Sequence, residues 1–504
     1  MNTLYYGNNL NILREHIADK SVDLIYLDPP FQSGKNYNIL FQEHDGGKSK
    51  AQIQAFEDTW HWEKGETQAT YEEIIDTCPD RVVKTIAGFY SMLGTSDMMS
   101  YLVMMAIRLV ELQRVLKDTG SIFLHCDPTA SHYLKIVMDA VFGSKNFRNE
   151  IVWHYKTWQG QVKDYFPKKH DVILFYTKTD KWKFDLLKDK KTIEETIDFH
   201  RWNKFLNKNN ELTGNSCPKT DSRFNGYLKR WIKEHGREPQ ANDVLLKIEG
   251  LTIDSVWDLK AVDPKSSERL GYVTQKPEAL LERIIKASSN EGDILMDPFA
   301  GCGTLVSVAQ RLKRKWIGID ITHLAIGLIK ERLNNAFGEE AKYQVIGEPT
   351  DVESAHTLKE QNTYQFQCWA VNLIGGRPTG QGGDKGIDGY KYFRDPEVQQ
   401  MLISVKSGHV TPAYVRDLKG TVSREKASVG ILITLEEPTR EMRKESASAG
   451  FYQSPLGSKH PKIQILTIKE LLEGKKVDFP QGAVDMTFKK AERKMNREKQ
   501  KEIF

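Results

Sequence analysis

The feature that most constrains this chain is the octapeptide Asp297-Pro298-Phe299-Ala300-Gly301-Cys302-Gly303-Thr304, set between an apolar run (Asp293–Asp297) and an amphipathic run (Leu305–Leu312). Two glycines at a strand-to-helix junction allow positive φ and close backbone approach, and the free N–H groups of the following helix attract a carboxylate or phosphate. A strand, a glycine turn and a helix in that order commit the region to a parallel sheet covered by helices. Trp316–Asp320 reads as the next strand and His323–Leu333 as the next helix. Asp320 stands seventeen residues past Gly303, at a strand end where a carboxylate can accept hydrogen bonds from ribose hydroxyls. No phosphate loop of the GxxxxGKS or GxxxxGKT form occurs, which argues against a triphosphate ligand. A purely structural glycine turn is the competing reading, and the placement of Asp320 weighs against it.

The N-terminal part alternates in the same way. Val22–Leu27 (VDLIYL) is an apolar run of strand length, ended by Asp28-Pro29-Pro30-Phe31, where two prolines stop the strand and force an extended turn. Met99–Leu116 has helical periodicity, Thr119-Gly120 breaks it, and Ser121–Leu124 reads as a strand. His132–Phe142 reads as a helix closed by Gly143, followed by strands at Glu150–Tyr155 and Asp171–Tyr176. The rhythm lapses between 181 and 254 and resumes at Pro277, a good first-turn residue for the helix EALLERIIKAS. The expected fold class is therefore α/β, a doubly wound Rossmann-like sheet carrying an inserted module. The expected division is 1–180 and 255–340 for the two halves of the sheet, 181–254 for the insert and 341–360 for a linker. A separate domain follows at 361–480, with a basic tail at 481–504.

Charge matters here through its distribution. The net charge of 504 residues is only +4, but residues 181–240 hold 14 Lys and Arg against 9 Asp and Glu, and 488–504 hold 7 against 3. The basic insert also carries Trp182, Phe184, Trp202, Phe205, Tyr227 and Trp231, a combination suited to phosphates and bases. A solvated face over an ordinary aromatic core is the alternative. Five scattered cysteines without a CxxC pair argue against a disulfide framework or structural zinc. No run approaches about 18 apolar residues, and the start MNTLYYGNNL lacks the basic and apolar segments of a signal peptide. The expectation is a cytoplasmic protein without a membrane span.

Asp28-Pro29-Pro30-Phe31 sits where doubly wound folds bind their ligands. An exocyclic amino nitrogen is a weak nucleophile because its lone pair is delocalised into the ring. Two acceptors aimed at its protons, the Asp28 carboxylate and the Pro29 carbonyl, would favour a tetrahedral nitrogen. The prolines hold those acceptors in place, and Phe31 offers a face for a flipped base; a Pro-Pro turn with a capping Asp is the competing reading.

Together, DPPF and the later DPFAGCGT resemble the amino-group DNA methyltransferases of the N6-adenine and N4-cytosine type, in the motif order of the β class. SVDLIYLDPPFQSGKNYN, SYLVMMAIRLVELQRVLKDTGSIFLHCDP, NEIVWHY, KKHDVILFYTK, ERLGYVTQKPEALLERIIKASSNEGDILMDPFAGCGT and RKWIGIDI extend the resemblance over most of residues 1–335. It implies S-adenosylmethionine as cofactor and double-stranded DNA as partner, with Asp28, Pro29, Pro30 and Phe31 holding and activating the base. It implies a cofactor site made by Asp297, Phe299, Gly301, Gly303 and Thr304 at the methionine end, Asp320 at the ribose, and Gln275 and Lys276 in the flanking TQKP segment. The family often has Asp in the first strand-turn; here Gly7-Asn8-Asn9 stands there, and Asn8 can still bond the adenosine part. The resemblance places target recognition in the basic insert. N4-cytosine enzymes more often begin the tetrapeptide with Ser, so Asp28 favours adenine N6, while DPPF occurs in both groups. A homodimer would suit a palindromic site.

From about 364 onward the chain resembles the Mrr-like branch of the PD-(D/E)xK nucleases, through YQFQ (364–367), GGDKGIDGY (382–390), LISVKSG (402–408) and ASVGILITLEEPT (427–439). The resemblance gives Asp388 and Lys406 the roles of Mg²⁺ ligand and water-orienting lysine. Ser404 stands where an acid or Gln is expected, and Gln367 where a Glu would serve as a metal ligand. Two readings stay open, an active nuclease and a nuclease-like fold kept for DNA or partner contact.

Overall fold

The computed structural model describes residues 1–30, 37–39, 53–56, 62, 65–155, 164, 166–217, 220–263, 266, 268–270, 272, 274–380, 386–480 and 483–487. Phe31 and the basic stretch 488–504 lie outside them.

Nine strands form the main sheet: β1 (Asn2–Tyr6), β2 (Val22–Leu27), β3 (Leu116–Cys126), β4 (Phe147–His154), β5 (His170–Thr177), β6 (Val256–Asp258), β7 (Ile294–Asp297), β8 (Lys315–Asp320) and β9 (Tyr343–Ile346). Their order is β6-β4-β5-β3-β2-β7-β8-β1-β9. Every pairing from β3 to β9 is parallel, and β5 runs antiparallel to both of its neighbours.

Both faces of this sheet are buried. In β2, Ile25 and Leu27 join a core under α1 (Asn9–His16), α2 (Asp97–Val115) and α3 (Ser131–Phe142), while Leu24 and Tyr26 join the core on the other face. Period-two alternation feeding two apolar layers is the reason VDLIYL is apolar throughout. Fully burying each such side chain stabilises the fold by about 1.5–3 kcal/mol.

The insert keeps a small core of its own. Helix α4 (Ser222–His235), capped by the Asp221 side chain, packs Phe224 and Leu228 against Trp202, Leu212 and Cys217. Trp202 is thus a core residue, whereas Trp182 and Phe184 are exposed. Three further helices, α5 (Glu278–Ser288), α6 (Thr304–Arg311) and α7 (His323–Phe337), cover the second face.

Beyond β9, α8 (Thr363–Leu373) packs on a second sheet of β10 (Arg377–Pro378), β11 (Gly389–Asp395), β12 (Glu397–Lys406), β13 (Val429–Thr434) and β14 (Ile463–Thr467), with β15 (Val484–Asp485) on β11. Strands β12, β13 and β14 are parallel, and helix α9 (Pro412–Arg424) covers the other face. The two bodies meet at His323. Its backbone N–H donates to Gln365 Oε1 (3.0 Å), its carbonyl accepts from Asn372 Nδ2 (2.6 Å), and its buried ring stacks on Tyr6 at 3.7 Å.

Three local expectations change. Thr119-Gly120 lies inside β3, because a register shift opposite Val22 and Leu24 absorbs it and the Gly120 carbonyl accepts from Lys178. Stretch 341–360 holds edge strand β9, whose short run YQVI pairs with β1, and a helix at Val352–Gln361 that buries Ala355 and Leu358 in the C-terminal core. Pro277 is the N-cap of α5 rather than its first residue. All five cysteines are free. Among the described residues, no helix is long and apolar enough to cross a membrane.

Candidate functional site

A cavity opens at the carboxyl ends of β1, β2, β7 and β8, with about 1100 Å³ of empty space, open mouth included. Its wall includes Asn8, Asp28, Pro30, Gln275, Lys276, Asp297, Phe299, Gly301, Thr304 and Asp320. Two motifs about 270 residues apart in sequence are thereby one site, because β2 and β7 are neighbours in the sheet.

At the end of β2, Asp28 Oδ2 accepts from Lys276 Nζ at 2.5 Å, and both side chains are largely shielded from solvent. The other oxygen, Oδ1, is buried and has no partner among the described residues. A buried acceptor without a donor is costly unless something completes it. Pro29 is buried beneath it, and Pro30 lines the cavity.

The glycine turn is braced from behind. Gly301 (φ +51°) donates its N–H to Asp320 Oδ2 at 2.9 Å. Asp320 Oδ1 also accepts from the N–H and hydroxyl of Thr322, each at 2.9 Å. Asp320 Oδ2 therefore holds the glycine turn and Oδ1 holds the start of α7, while the side chain lines the cavity. Gly303 (φ +71°) is not part of the cavity wall; a Cβ there would lie 2.7 Å from Ile329 Cγ1. Gly303 has no side chain to cap α6, so the first N–H groups of that helix stay available at Thr304. Buried Arg332 supports the turn from below, donating to the Cys302 carbonyl (3.1 Å) and Thr304 Oγ1 (3.3 Å) while pairing with Glu278.

Burial pushes the Asp297 carboxyl well above the usual range, and the charges of Asp28 and Asp320 add to the shift. Asp320 is raised as well, chiefly by burial. Asp297 Oδ1 accepts the Phe299 N–H, so its role is to shape the turn. Gln275 has a similar part: its amide accepts from Leu270 N–H and donates to the Glu268 carbonyl, tying a loop beside the cavity.

Asn8 caps α1 by accepting the Leu10 N–H. Arg108, from α2, donates to Asn9 Oδ1 at 2.7 Å and to Asn8 Oδ1 at 3.4 Å. Burial, with the charge of Arg14 adding, lowers the Arg108 guanidinium to about 10. Sequence reasoning missed Arg108, although one cation inside the apolar run MMAIRLV was a signal. It also missed Tyr26 and Tyr272, which line the cavity and whose phenols burial holds well above their usual range. Tyr26 was findable, since it stands two residues before Asp28 and shares its strand face.

In the C-terminal body, Asp388 Oδ2 accepts from the Val405 N–H at 2.7 Å, and Lys406 Nζ lies 3.9 Å away. Burial raises the Asp388 carboxyl. Among the described residues no three His, Cys, Asp or Glu side chains gather as metal ligands.

A family model for N6/N4 methyltransferases, described as DNA methylase, matches residues 22–331. Residues 367–473 match a model described as NACHT-associated inactive Restriction Endonuclease 1. The chain is 30% identical over 229 residues to Type II methyltransferase M.HpaI of Haemophilus parainfluenzae, a match spanning 45% of this chain and 58% of that protein. It is 27% identical over 337 residues to DNA adenine methyltransferase YhdJ of Escherichia coli K12, covering 66% of this chain and 83% of YhdJ. The crystal structure of the M1.HpyAVI–SAM complex covers 66% of this chain and all of its own, at 16% identity and a TM-score of 0.34.

Proposed function

This chain belongs to the N6/N4 DNA methylase family, and on that premise we propose that it transfers a methyl group from S-adenosylmethionine to the N6 amino group of adenine in flipped-out bases of duplex DNA. The observation that carries this reading is Asp28 in the cavity wall, with Oδ2 held by Lys276 and Oδ1 buried without a partner among the described residues. One carboxylate oxygen is fixed, and the other is left as an acceptor for an N–H that the protein does not supply.

The cavity fits the cofactor in its donor set. Free N–H groups at the start of α6, Asn8 at the start of α1 and the Asp320 carboxylate at the end of β8 surround one space. When bound, S-adenosylmethionine supplies an electrophilic methyl group. The protein's part is orientation. Asp28 Oδ1 accepts an amino proton and draws the nitrogen towards tetrahedral geometry, while the Pro-Pro turn keeps that oxygen from moving. Lys276 balances the carboxylate's charge, so protonating Asp28 would strand a buried ammonium. Adenine is favoured by Asp at the head of the tetrapeptide and by the similarity to a DNA adenine methyltransferase. Similarity to type II methyltransferases supports a place in a restriction–modification system.

For the C-terminal body we favour a nuclease-like fold that does not cleave. The Asp388 oxygen nearest Lys406 is occupied by backbone, Ser404 replaces an acid, and the matching family model is described as inactive. Supercoiled plasmid incubated with the chain and Mg²⁺ should stay intact, and nicking would overturn this part.

The deciding experiment is expression in a methylation-free bacterial host with single-molecule sequencing of the host DNA. N6-methyladenine in one sequence context is the expected result. N4-methylcytosine would keep the mechanism and overturn the base. Unmodified DNA from a soluble, cofactor-binding chain would count against DNA as substrate.

A further inference from the structure

Behind the catalytic wall runs a chain of buried hydrogen bonds that the reaction so far does not use. Tyr26, on β2, has its hydroxyl 2.8 Å from His125 Nδ1 on β3. His125 Nε2 lies 3.1 Å from Asp171 Oδ2 on β5, and Asp171 Oδ1 accepts from the Tyr155 hydroxyl at 3.1 Å, just past β4. His125 is fully buried and Tyr26 nearly so, yet Tyr26 lines the cavity that holds Asp28. Four polar side chains, three on strands and Tyr155 just past a fourth, linked in series, are an expensive arrangement for a core unless each is satisfied by the next.

The order of partners sets the protons. Asp171 accepts only, so His125 carries its proton on Nε2 and leaves Nδ1 as an acceptor. Tyr26 must then donate to Nδ1, and its side chain lines the cavity. Trp153 packs edge-on against the imidazole. Beyond these contacts, Lys276 acts on Asp171, and Asp28 and Asp297 act on Tyr26, through their charges.

Resting on the methyltransferase reading above, we propose that Tyr26, His125 and Asp171 form the proton relay of methyl transfer, with His125 taking up the charge. Methylation leaves one proton in excess on the amino nitrogen. That N–H bond breaks as a new bond forms to Tyr26 Oη, directly or through one water, while the hydroxyl's own proton passes to His125 Nδ1. The resulting imidazolium is held by Asp171, so the charge stays balanced inside the core. Asp28 is the hydrogen-bond acceptor in this scheme and the relay is the proton sink, because a proton left on Asp28 would unbalance Lys276.

The test is single-turnover methyl transfer by the full chain across a pH series, with cofactor and DNA affinities and the melting midpoint measured in parallel. Tyr26→Phe should slow transfer by about 10² or more and keep both affinities within about twofold. His125→Gln keeps an acceptor for Tyr26 and cannot take a proton; it should be as slow as Tyr26→Phe. A Gln variant or a Phe variant near the wild-type rate would show that the chain is only structural and overturn the relay. A loss confined to KM would do the same. A wild-type chain that methylates no DNA would instead overturn the methyltransferase reading itself.

Discussion

Lys276 Nζ lies 2.5 Å from Asp28 Oδ2, joining a residue at the end of β2 to one 248 positions later that precedes α5. The pair is one-sided. It fixes the carboxylate's position through a single oxygen and leaves Oδ1 buried, without a hydrogen-bond partner among the described residues.

Asp28→Asn should abolish most methylation while sparing binding. The amide would turn its oxygen to Lys276 and its NH₂ to the base, placing a donor where an acceptor is needed. We expect about a 10²–10³-fold loss in kcat, with cofactor affinity within about threefold. Methyl incorporation into DNA and calorimetric cofactor titration check both halves.

Asp297→Asn should stabilise the chain at neutral pH. Because burial raises the folded carboxyl's pKa, the folded chain holds that proton more tightly than the unfolded chain does. Its contribution is fully present below the unfolded value of about 3.9 and is lost as pH rises through the folded value. The Asn oxygen can still accept the Phe299 N–H. Scanning calorimetry without cofactor should show a higher melting midpoint at pH 7, and a gain that vanishes near pH 4.

Gly303→Ala should weaken cofactor binding without touching the cavity wall. At φ +71°, with Ile329 Cγ1 2.7 Å from the new Cβ, the substitution strains the turn and crowds α7. The expected cost is about 1–3 kcal/mol, with a raised KM for the cofactor. Adding Ile329→Val should recover only part of the melting midpoint, since the backbone strain remains.

Asn372→Ala tests the joint between the two bodies. It leaves the His323 carbonyl without its 2.6 Å donor, at a cost of about 1–3 kcal/mol. His323 follows Asp320 by three residues, so cofactor affinity should fall along with stability. A calorimetric trace that resolves into two transitions is the expected signature; an unchanged trace would mean that α8 contributes little to this joint.

The sequence by itself determined what depends on neighbours along the chain. VDLIYL had to be a two-faced buried strand, DPP had to end it, and the glycines of DPFAGCGT had to make a strand-to-helix turn, because backbone sterics and side-chain period act over a few residues. That the two motifs serve one site came from the resemblance to the amino-group DNA methyltransferases, and the adjacency of β2 and β7 is what brings them together. Tertiary structure alone decided who faces whom. Lys276 was legible as part of a cofactor segment, yet its ammonium rests on Asp28. Asp320 and Gln275 were legible as ligand residues, yet they spend hydrogen bonds on the loops around the cavity. The Tyr26–His125–Asp171 chain crosses three strands, and YQVI joins the sheet only because β1 offers it an edge. Such pairings depend on the register and packing of segments tens to hundreds of residues apart, where no local period carries the information.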